Sequence, residues 1–250
     1  MKFEDVKTIG VMGGGVMGGG IAQVMAAAGY QVIVRDLDDG LIEKTRDAIF
    51  ESRWGIKRAV EIGKLEFDKA RTTMERISFT TKVEDLRNVD MIIEAVPEKL
   101  ELKQQVFAEL DKIVKPDAIF VSNTSGFVVA EMAKDVSEGR KALFAGMHFF
   151  NPVPAMKCVE IISTPQTLPE VTDAVFLVGE KAGKVAVHVK DAAGTYGFIV
   201  NRVYAAARRE ADKLVEAGIA SKEDIDKAMK TGRNWPSGFY EQRGGIGRQW

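Results

Sequence analysis

Short apolar runs alternate along the chain with stretches whose apolar residues recur at helical spacing. The runs predict buried strands at residues 8–12, 32–34, 77–80, 91–96, 119–122, 143–149, 159–162 and 185–189. The spaced pattern predicts helices at residues 21–28, 100–113, 127–133 and 171–182. Because strands that alternate with helices build βαβ units, we predict an α/β fold with a doubly wound, mostly parallel sheet.

Residues 41–75, which separate the second predicted strand from the third, form a long polar stretch of helical character. Their apolar residues recur at helical offsets, and Gly55 and Gly63 interrupt the pattern. We therefore predict a helical insertion made of two helices or of one kinked pair.

The pattern changes after the last predicted strand, because no further apolar run follows. Residues 198–217 predict one amphipathic helix, and a second helix follows an N-cap at Ser221 and ends at Gly232. We expect a sheet domain over residues 1–190 and a short, all-helical C-terminal domain over residues 191–250. So small a helical domain is expected to bury its apolar face against the sheet domain or against a second subunit.

The first predicted strand runs into a glycine-rich turn at residues 13–18. Gly13 permits the tight turn, Gly15 leaves room for a pyrophosphate, and Gly18 lets the next helix pack close to the sheet. Asp36 follows the second strand, where a carboxylate can accept hydrogen bonds from an adenine ribose. Strand, turn, helix and acid together favour a Rossmann-type dinucleotide site over a structural turn. The predicted cofactor contacts here are Gly13, Gly15, Val16, Met17, Gly18 and Asp36.

The acid also bears on which dinucleotide binds. The carboxylate of Asp36 would repel a 2′-phosphate, so NAD is favoured over NADP. Arg35 stands beside it and could accommodate that phosphate, so tolerance of NADP stays open.

Composition excludes several classes of partner. The net charge of −1 gives no global field for nucleic acid or for an anionic membrane. The single cysteine, Cys158, allows no internal disulfide and fits a reducing cytoplasm. We see no apolar stretch of the signal-peptide kind at the start and no apolar run near the ~20 residues that span a bilayer. We therefore expect a cytoplasmic protein without a metal site.

Polar segments follow the later strands, and one of them carries a candidate proton carrier. His148 is one of two histidines, and Glu160 follows on the next predicted strand. Imidazole suits general acid–base work because its pKa lies near working pH. From the residues alone, a core histidine is an equal alternative, and the Asn–Pro turn after His148 together with Glu160 favours catalysis. His188 alternates with valines and is interpreted as an ordinary strand residue.

These segments make the chain resemble a known family. The strings are the glycine turn, EAVPE at residues 94–98, SNTS at 122–125, HFFNPVP at 148–154 and FIVNR at 198–202. They resemble those of the L-3-hydroxyacyl-CoA dehydrogenases, including 3-hydroxybutyryl-CoA dehydrogenases, in family order over nearly the whole chain. The resemblance implies hydride transfer between NAD and the C3 hydroxyl of a 3-hydroxyacyl-CoA, in fatty-acid or butanoate metabolism. It also implies a homodimer.

The resemblance assigns roles at the reacting centre. His148 would be the general base for alcohol oxidation, and Glu160 would accept a hydrogen bond from its other ring nitrogen. Ser125 and Asn201 would hold the substrate and the nicotinamide. The alternative for Ser125 is an N-cap of the helix predicted at residues 127–133, and the alternative for Asn201 is surface polarity early in a helix.

Further cofactor contacts are implied at Glu98, Lys103, Asn123 and Asn151. Glu98 and Lys103 could instead form a charge pair on a solvated helix face, and Asn151 could simply belong to an Asn–Pro turn. The choice between a cofactor role and these structural roles stays open at this stage.

The CoA arm has the weakest set of matching positions. Ser52 matches a family contact on the helical insertion, whereas the position of the family's nearby lysine is occupied by Ala59. Lys57 or Arg58 could take its place in pairing with CoA phosphates, and Ser125 is a further expected contact to the CoA substrate.

Departures from the family pattern keep other functions open. Residues 191–197 are longer than the usual linker and lack its proline, and the chain ends at Trp250 where the family normally continues with further helices. One alternative is a dehydrogenase of a non-CoA hydroxy acid, as in the gulonate dehydrogenase and lambda-crystallin branch. Met156 and Lys157, with the HFFNPVP string, favour the acyl-CoA branch. The other alternative is a catalytically silent NAD-binding protein.

Overall fold

The structure is a computed structural model that describes residues 3–192 and 196–241. Its strands are β1 (Thr8–Met12), β2 (Gln31–Arg35), β3 (Ile77–Thr80), β4 (Met91–Glu94), β5 (Ile119–Ser122), β6 (Phe144–Phe149), β7 (Cys158–Ser163) and β8 (Val185–Lys190). Its helices are α1 (Val16–Ala27), α2 (Asp39–Glu51), α3 (Ile56–Glu61), α4 (Phe67–Glu75), α5 (Leu100–Ile113), α6 (Val129–Met132), α7 (Glu138–Lys141), α8 (Pro169–Lys181), α9 (Val200–Glu216) and α10 (Lys222–Arg233). Every predicted strand is present within two residues of its expected bounds.

The strands form one sheet in the order β3-β2-β1-β4-β5-β6-β7-β8. Every neighbouring pair is parallel except β6 and β7, which are antiparallel. The predicted doubly wound, mostly parallel sheet is therefore confirmed. Because β7 runs backwards, its first residues lie at the same sheet edge as the carboxyl ends of β1, β2, β4, β5 and β6. Ligands of open α/β sheets bind at that edge.

The middle of the sheet is the centre of the core. Every residue of β4, β5 and β6 is buried, which explains why these segments read as continuous apolar runs rather than as alternating patterns. Helix α1 packs especially close to β1. A Cβ atom added to Gly18 would lie 1.8 Å from the carbonyl oxygen of Gly13, so a larger residue there would push the helix off the sheet.

A half-buried aspartate joins elements at the opposite, amino-terminal edge of the sheet. Asp90 Oδ2 accepts hydrogen bonds from the backbone N–H groups of Lys7 and Thr8 at 2.9 and 2.8 Å, and Oδ1 pairs with the Lys115 ammonium at 2.6 Å. Burial acts to raise the pKa of Asp90, but the bonds from Lys115, Thr8 and Lys7 outweigh it and hold the pKa below its usual value. The carboxylate thus fastens the starts of β1 and β4 to the segment that leads into β5.

The helical segments depart from expectation in places. The insertion at residues 41–75 consists of three helices, α2, α3 and α4, instead of two. Helix α6 begins only at Val129, and its first N–H groups, those of Val129 and Ala130, donate to the Asp191 carboxylate. Ser125 is therefore not the N-cap of this helix, and that alternative is wrong. Helix α7 was not predicted at all.

The chain divides into two units, Met1–Gly194 and Thr195–Trp250. In the second unit the Ser221 hydroxyl caps α10 by accepting from the N–H of Asp224 at 3.0 Å, as expected. The helix continues past Gly232 to Arg233, and its C-cap is Asn234, whose left-handed φ is 58°, so the expected cap at Gly232 is wrong by two residues. The predicted all-helical character of this unit is confirmed over residues 196–241. Across both described ranges, no helix has the length and apolar character needed to cross a membrane.

Candidate active site

The glycine turn has the geometry that a dinucleotide phosphate requires. Gly13 has a φ of +94°, and its N–H donates to the carbonyl of Arg35 at 2.9 Å. Gly15 is the N-cap residue of α1 and carries no side chain to bond the helix N-terminus. A Cβ added to Gly15 would meet no atom of the described chain within 4 Å beyond its sequence neighbours, so a phosphate has room there.

Asp36 is held against this turn. Its Oδ2 accepts from the N–H of Gly14 at 2.7 Å, and its Oδ1 accepts from the N–H of Leu37 at 2.7 Å. The Thr45 hydroxyl donates to the Gly14 carbonyl at 2.8 Å and so supports the turn from α2. A carboxylate can accept about four hydrogen bonds, so Asp36 retains capacity for ribose hydroxyls. These residues fit a dinucleotide.

The proton carrier and its carboxylate partner face each other across two strands. His148 in β6 and Glu160 in β7 are directly opposite in the antiparallel register. His148 Nδ1 lies 2.7 Å from Glu160 Oε2, and the two side chains are 4% and 0% exposed. An ionised carboxylate only accepts hydrogen bonds, so the proton of a neutral imidazole lies on Nδ1 and the acceptor lone pair on Nε2. The ring of Phe150 packs on the imidazole with centroids 4.5 Å apart.

Asn123 braces the strand that carries the histidine. Its Oδ1 accepts from the N–H of Phe149 at 2.8 Å, and the side chain is buried. The residue is predicted as a cofactor contact, and the contact that the structure shows ties the end of β5 to the end of β6.

A buried charge network lies beside these strand ends. Lys103 is 1% exposed, and its Nζ lies 2.7 Å from Glu94 Oε1 and 3.1 Å from Glu98 Oε2. The alternative of a pair on a solvated helix face is therefore wrong for Lys103. Burial raises the pKa of Glu94, although the Lys103 ammonium, the Ser122 hydroxyl and the Val96 N–H all favour its charged form.

The network reaches the loop that follows β5. Glu98 Oε1 accepts from the Thr124 hydroxyl at 2.6 Å and from the N–H of Ser125 at 2.8 Å. The carboxylate that pairs with Lys103 thus also fixes the backbone at Ser125. Sequence reasoning missed Glu94, although an acid that ends a fully apolar strand was a signal available in the sequence.

Two other predicted residues lie in different surroundings. Asn151 is half-buried two residues after the end of β6 and is joined to Pro152 by a cis peptide bond. Asn201 is half-buried and is the second residue of α9, in the second unit. His188 is exposed on β8, and its Nε2 lies 2.8 Å from the Ser163 hydroxyl, in keeping with its interpretation as a strand residue.

The predicted CoA contacts lie on the exposed helical insertion. Ser52 is the C-cap residue of α2, and Lys57 and Arg58 are the second and third residues of α3. Lys57 pairs with Glu51 at 2.7 Å, a hydrogen bond that raises the pKa of the lysine, and Arg58 pairs with Glu61 at 3.1 Å. In the described part of the chain, no group of three or more His, Cys, Asp or Glu residues could hold a metal.

Family profiles match both units of the chain. The profile described as the NAD-binding domain of 3-hydroxyacyl-CoA dehydrogenase matches residues 8–192, and that of the C-terminal domain matches residues 197–247. The human mitochondrial hydroxyacyl-coenzyme A dehydrogenase is 39% identical over 239 residues, which cover 94% of this chain and 74% of the relative. A probable 3-hydroxybutyryl-CoA dehydrogenase of Deinococcus radiodurans is 40% identical over 92% of this chain and 79% of the relative.

A solved structure gives the same result. The (S)-3-hydroxybutyryl-CoA dehydrogenase of Ralstonia eutropha superposes with a TM-score of 0.88 at 35% identity, covering 94% of this chain and 80% of the other. The family profiles cover both units, and the similar relatives are matched over most of their own length. The chain therefore belongs to the 3-hydroxyacyl-CoA dehydrogenase family.

Proposed function

We propose that the chain is an NAD-dependent dehydrogenase that interconverts a 3-hydroxyacyl-CoA and the corresponding 3-ketoacyl-CoA. The observation that carries the proposal is the buried contact of 2.7 Å between His148 and Glu160, at the sheet edge that also presents the glycine turn. A proton carrier and a dinucleotide turn at one edge are the two parts that alcohol oxidation needs.

His148 would act through Nε2. In oxidation that nitrogen takes the proton of the C3 hydroxyl, and in reduction it returns the proton to the oxygen. Glu160 holds Nδ1, fixes the tautomer and stabilises the imidazolium that forms, the role of the third group in a catalytic triad. The cofactor supplies a nicotinamide ring able to accept the hydride that leaves C3.

Substrate and nicotinamide would be held by short polar side chains. Ser125 is suited to this because Glu98 anchors its backbone N–H. Asn201 is the second proposed contact. On the cofactor side, Glu98, Lys103, Asn123 and Asn151 remain the proposed contacts around the nicotinamide half, and Asp36 remains the contact to the adenine ribose.

The CoA arm would lie along the helical insertion. Ser52, Lys57 and Arg58 are exposed there, and each of the two cations would exchange its surface carboxylate partner for a CoA phosphate. Exposed pairs of this kind are weak, so the exchange is energetically cheap. The names of several relatives favour a short acyl chain such as 3-hydroxybutyryl.

We further propose that the enzyme works as a homodimer in the cytoplasm. The single cysteine fits a reducing compartment. The small helical unit, with exposed apolar residues at the start of α9, fits a second subunit as its partner.

The proposal is tested by following NADH absorbance with acetoacetyl-CoA, beside NADPH and beside free acetoacetate. Turnover with NADH and the CoA ester, and much slower turnover with either replacement, is the expected result. Turnover of free acetoacetate at the same rate would assign the chain to the non-CoA dehydrogenases. NADH binding without turnover of either substrate would make it a silent dinucleotide-binding protein.

A further inference from the structure

A buried lysine that the sequence did not single out lies beneath the loop after His148. Lys184 stands between α8 and β8 and is 8% exposed. Its Nζ donates to the carbonyl oxygens of Val153 and Met156 at 2.5 and 2.9 Å. Buried lysines usually pair with a carboxylate. Within the described chain, the partners of Lys184 are these two peptide carbonyls.

Those carbonyls belong to the loop that joins the catalytic strands. Residues 150–157 connect β6, which carries His148, to β7, which carries Glu160, and Asn151 lies in this loop. The far end of the loop is also fixed close to the lysine, because the N–H of Val185 donates to the Lys157 carbonyl at 2.7 Å.

The other side of the loop rests on the helix of the dinucleotide turn. Val153 is 2% exposed, and a Cβ atom added to Gly20 of α1 would lie 2.9 Å from the Val153 Cβ. The loop is therefore clamped between the Lys184 ammonium and α1. Any shift of the loop would change the distance between Asn151 and the helix whose first turn receives the phosphates.

Burying the positive charge of Lys184 is energetically unfavourable at this position. Burial lowers the pKa of Lys184, since desolvation disfavours the ammonium form. A methionine could fill a similar volume without desolvating a charge. The contribution of Lys184 is consequently the pair of hydrogen bonds to the loop.

We infer that Lys184 is a positioning residue for the proposed dehydrogenase reaction: its ammonium fixes the loop between β6 and β7 and thereby places Asn151 and His148 relative to the dinucleotide turn. The inference rests on the proposed function. It deepens that function by adding a residue that does not touch substrate or cofactor.

The test replaces Lys184 with methionine, arginine and glutamine in the full-length protein. For Lys184→Met we expect kcat with acetoacetyl-CoA to fall about tenfold to a hundredfold, because small misplacements of reacting groups have effects of this size. We expect the Kd for NADH to change less, by about twofold, since the glycine turn and Asp36 are untouched. Lys184→Arg keeps a cation with several N–H donors and should recover most of the lost kcat.

A second readout separates positioning from general stability. Amide hydrogen exchange of the peptide covering residues 151–157 should be faster in Lys184→Met, while the peptide covering β1 should exchange as in the unaltered protein. Lys190→Met removes an exposed lysine at the other end of β8 and is the matched control. If Lys184→Met does not fold, Lys184→Gln keeps two N–H donors without the charge and should show an intermediate loss of kcat.

The outcomes test the positioning role of Lys184 separately from the proposed dehydrogenase activity. A kcat per NADH-binding site in Lys184→Met within about twofold of the unaltered enzyme would overturn the inference. So would unchanged exchange of the loop, or a loss that Lys184→Arg does not recover. If the unaltered protein does not turn over acetoacetyl-CoA, the proposed function fails, and the exchange comparison still decides whether Lys184 fixes the loop.

Discussion

The contact with Glu160 makes the two nitrogens of the His148 ring chemically different. Glu160 lies 2.7 Å from Nδ1 and is fully buried, so water does not compete for the contact. Hydrogen bonds to a charged partner are stronger than neutral ones, and a low local dielectric strengthens them further. The arrangement favours one tautomer of the imidazole, with Nε2 as the nitrogen that we propose takes the substrate proton.

Replacing His148 with alanine should remove the proton carrier and leave the cofactor site intact. We expect kcat to fall about 10²–10⁴-fold, the usual contribution of a positioned general base. The Kd for NADH, measured by fluorescence titration, should stay close to that of the unaltered enzyme. Unchanged turnover, or loss of NADH binding with the fold retained, would contradict the assignment; His188→Ala is the matched control.

Replacing Asp36 with alanine should weaken selection of NAD over NADP. The variant loses hydrogen bonds to the ribose, each worth roughly 1.5–3 kcal/mol for a charged acceptor, and also loses the repulsion of a 2′-phosphate. The ratio of kcat/KM for NADH and NADPH should fall by about tenfold or more. Asp39→Ala, at an exposed position three residues on, should leave the ratio unchanged. An unaltered ratio in Asp36→Ala would refute its role.

Single residues also show where sequence reasoning reached its limit. The pairing of His148 with Glu160 could be expected, because both follow from a family pattern and lie on consecutive strands. The burial of Lys103 could not be expected from the sequence, and neither could the carbonyl partners of Lys184. Both features depend on which groups pack around each lysine in the folded chain. Hydrophobic patterns report the average environment of a segment and carry no signal for one buried cation.

At the scale of elements, Asp90 connects parts of the sheet that are distant in sequence. Asp90→Ala removes two backbone hydrogen bonds and one ion pair, and we expect the free energy of unfolding to fall by about 2–3 kcal/mol at pH 7. Because its folded-state pKa lies below the usual value, this stabilisation is complete above that value and is lost as the pH falls through the lowered pKa.

Denaturant titrations of the unaltered protein and of Asp90→Ala, at pH 7 and at successively lower pH, measure the free energy of unfolding of each. The difference between the two free energies should shrink as the pH falls. Asp117→Ala alters a nearby exposed carboxylate and should have little effect. A difference that stays constant down to the acid limit of folding would show that the Asp90 charge is not the source.

Elements were predictable where the sequence carries an apolar or amphipathic pattern. Helix α5 and strands β1, β3 and β5 have the expected bounds, because each shows such a pattern. Helix α7 has four residues and no periodicity to detect. It contains Arg140, whose Nε lies 2.9 Å from Asp111 and whose other nitrogens donate to carbonyls around β5, so its stability comes from tertiary contacts.

At the scale of the whole molecule, the second unit has a small core. Its buried apolar cluster consists of Ala211, Ile225 and Phe239, with partly buried aromatic residues around them. A domain of this size buries too little apolar surface to be very stable alone. Apolar side chains on α9 nevertheless remain exposed, Val203 to 64% and Val200 to 42%. We propose that a second copy of the chain covers them.

Light scattering during size-exclusion chromatography should then give twice the chain mass of 27.4 kDa. Val203→Asp places a charge on the exposed apolar stretch and should shift the protein towards the monomer, because burying an unpaired charge is costly. Arg209→Asp changes an exposed residue on another face of α9 and should leave the mass unchanged. A monomer mass for the unaltered protein at micromolar concentration would exclude the dimer. An equal shift in both variants would mean that loss of fold, rather than loss of an interface, separates the subunits.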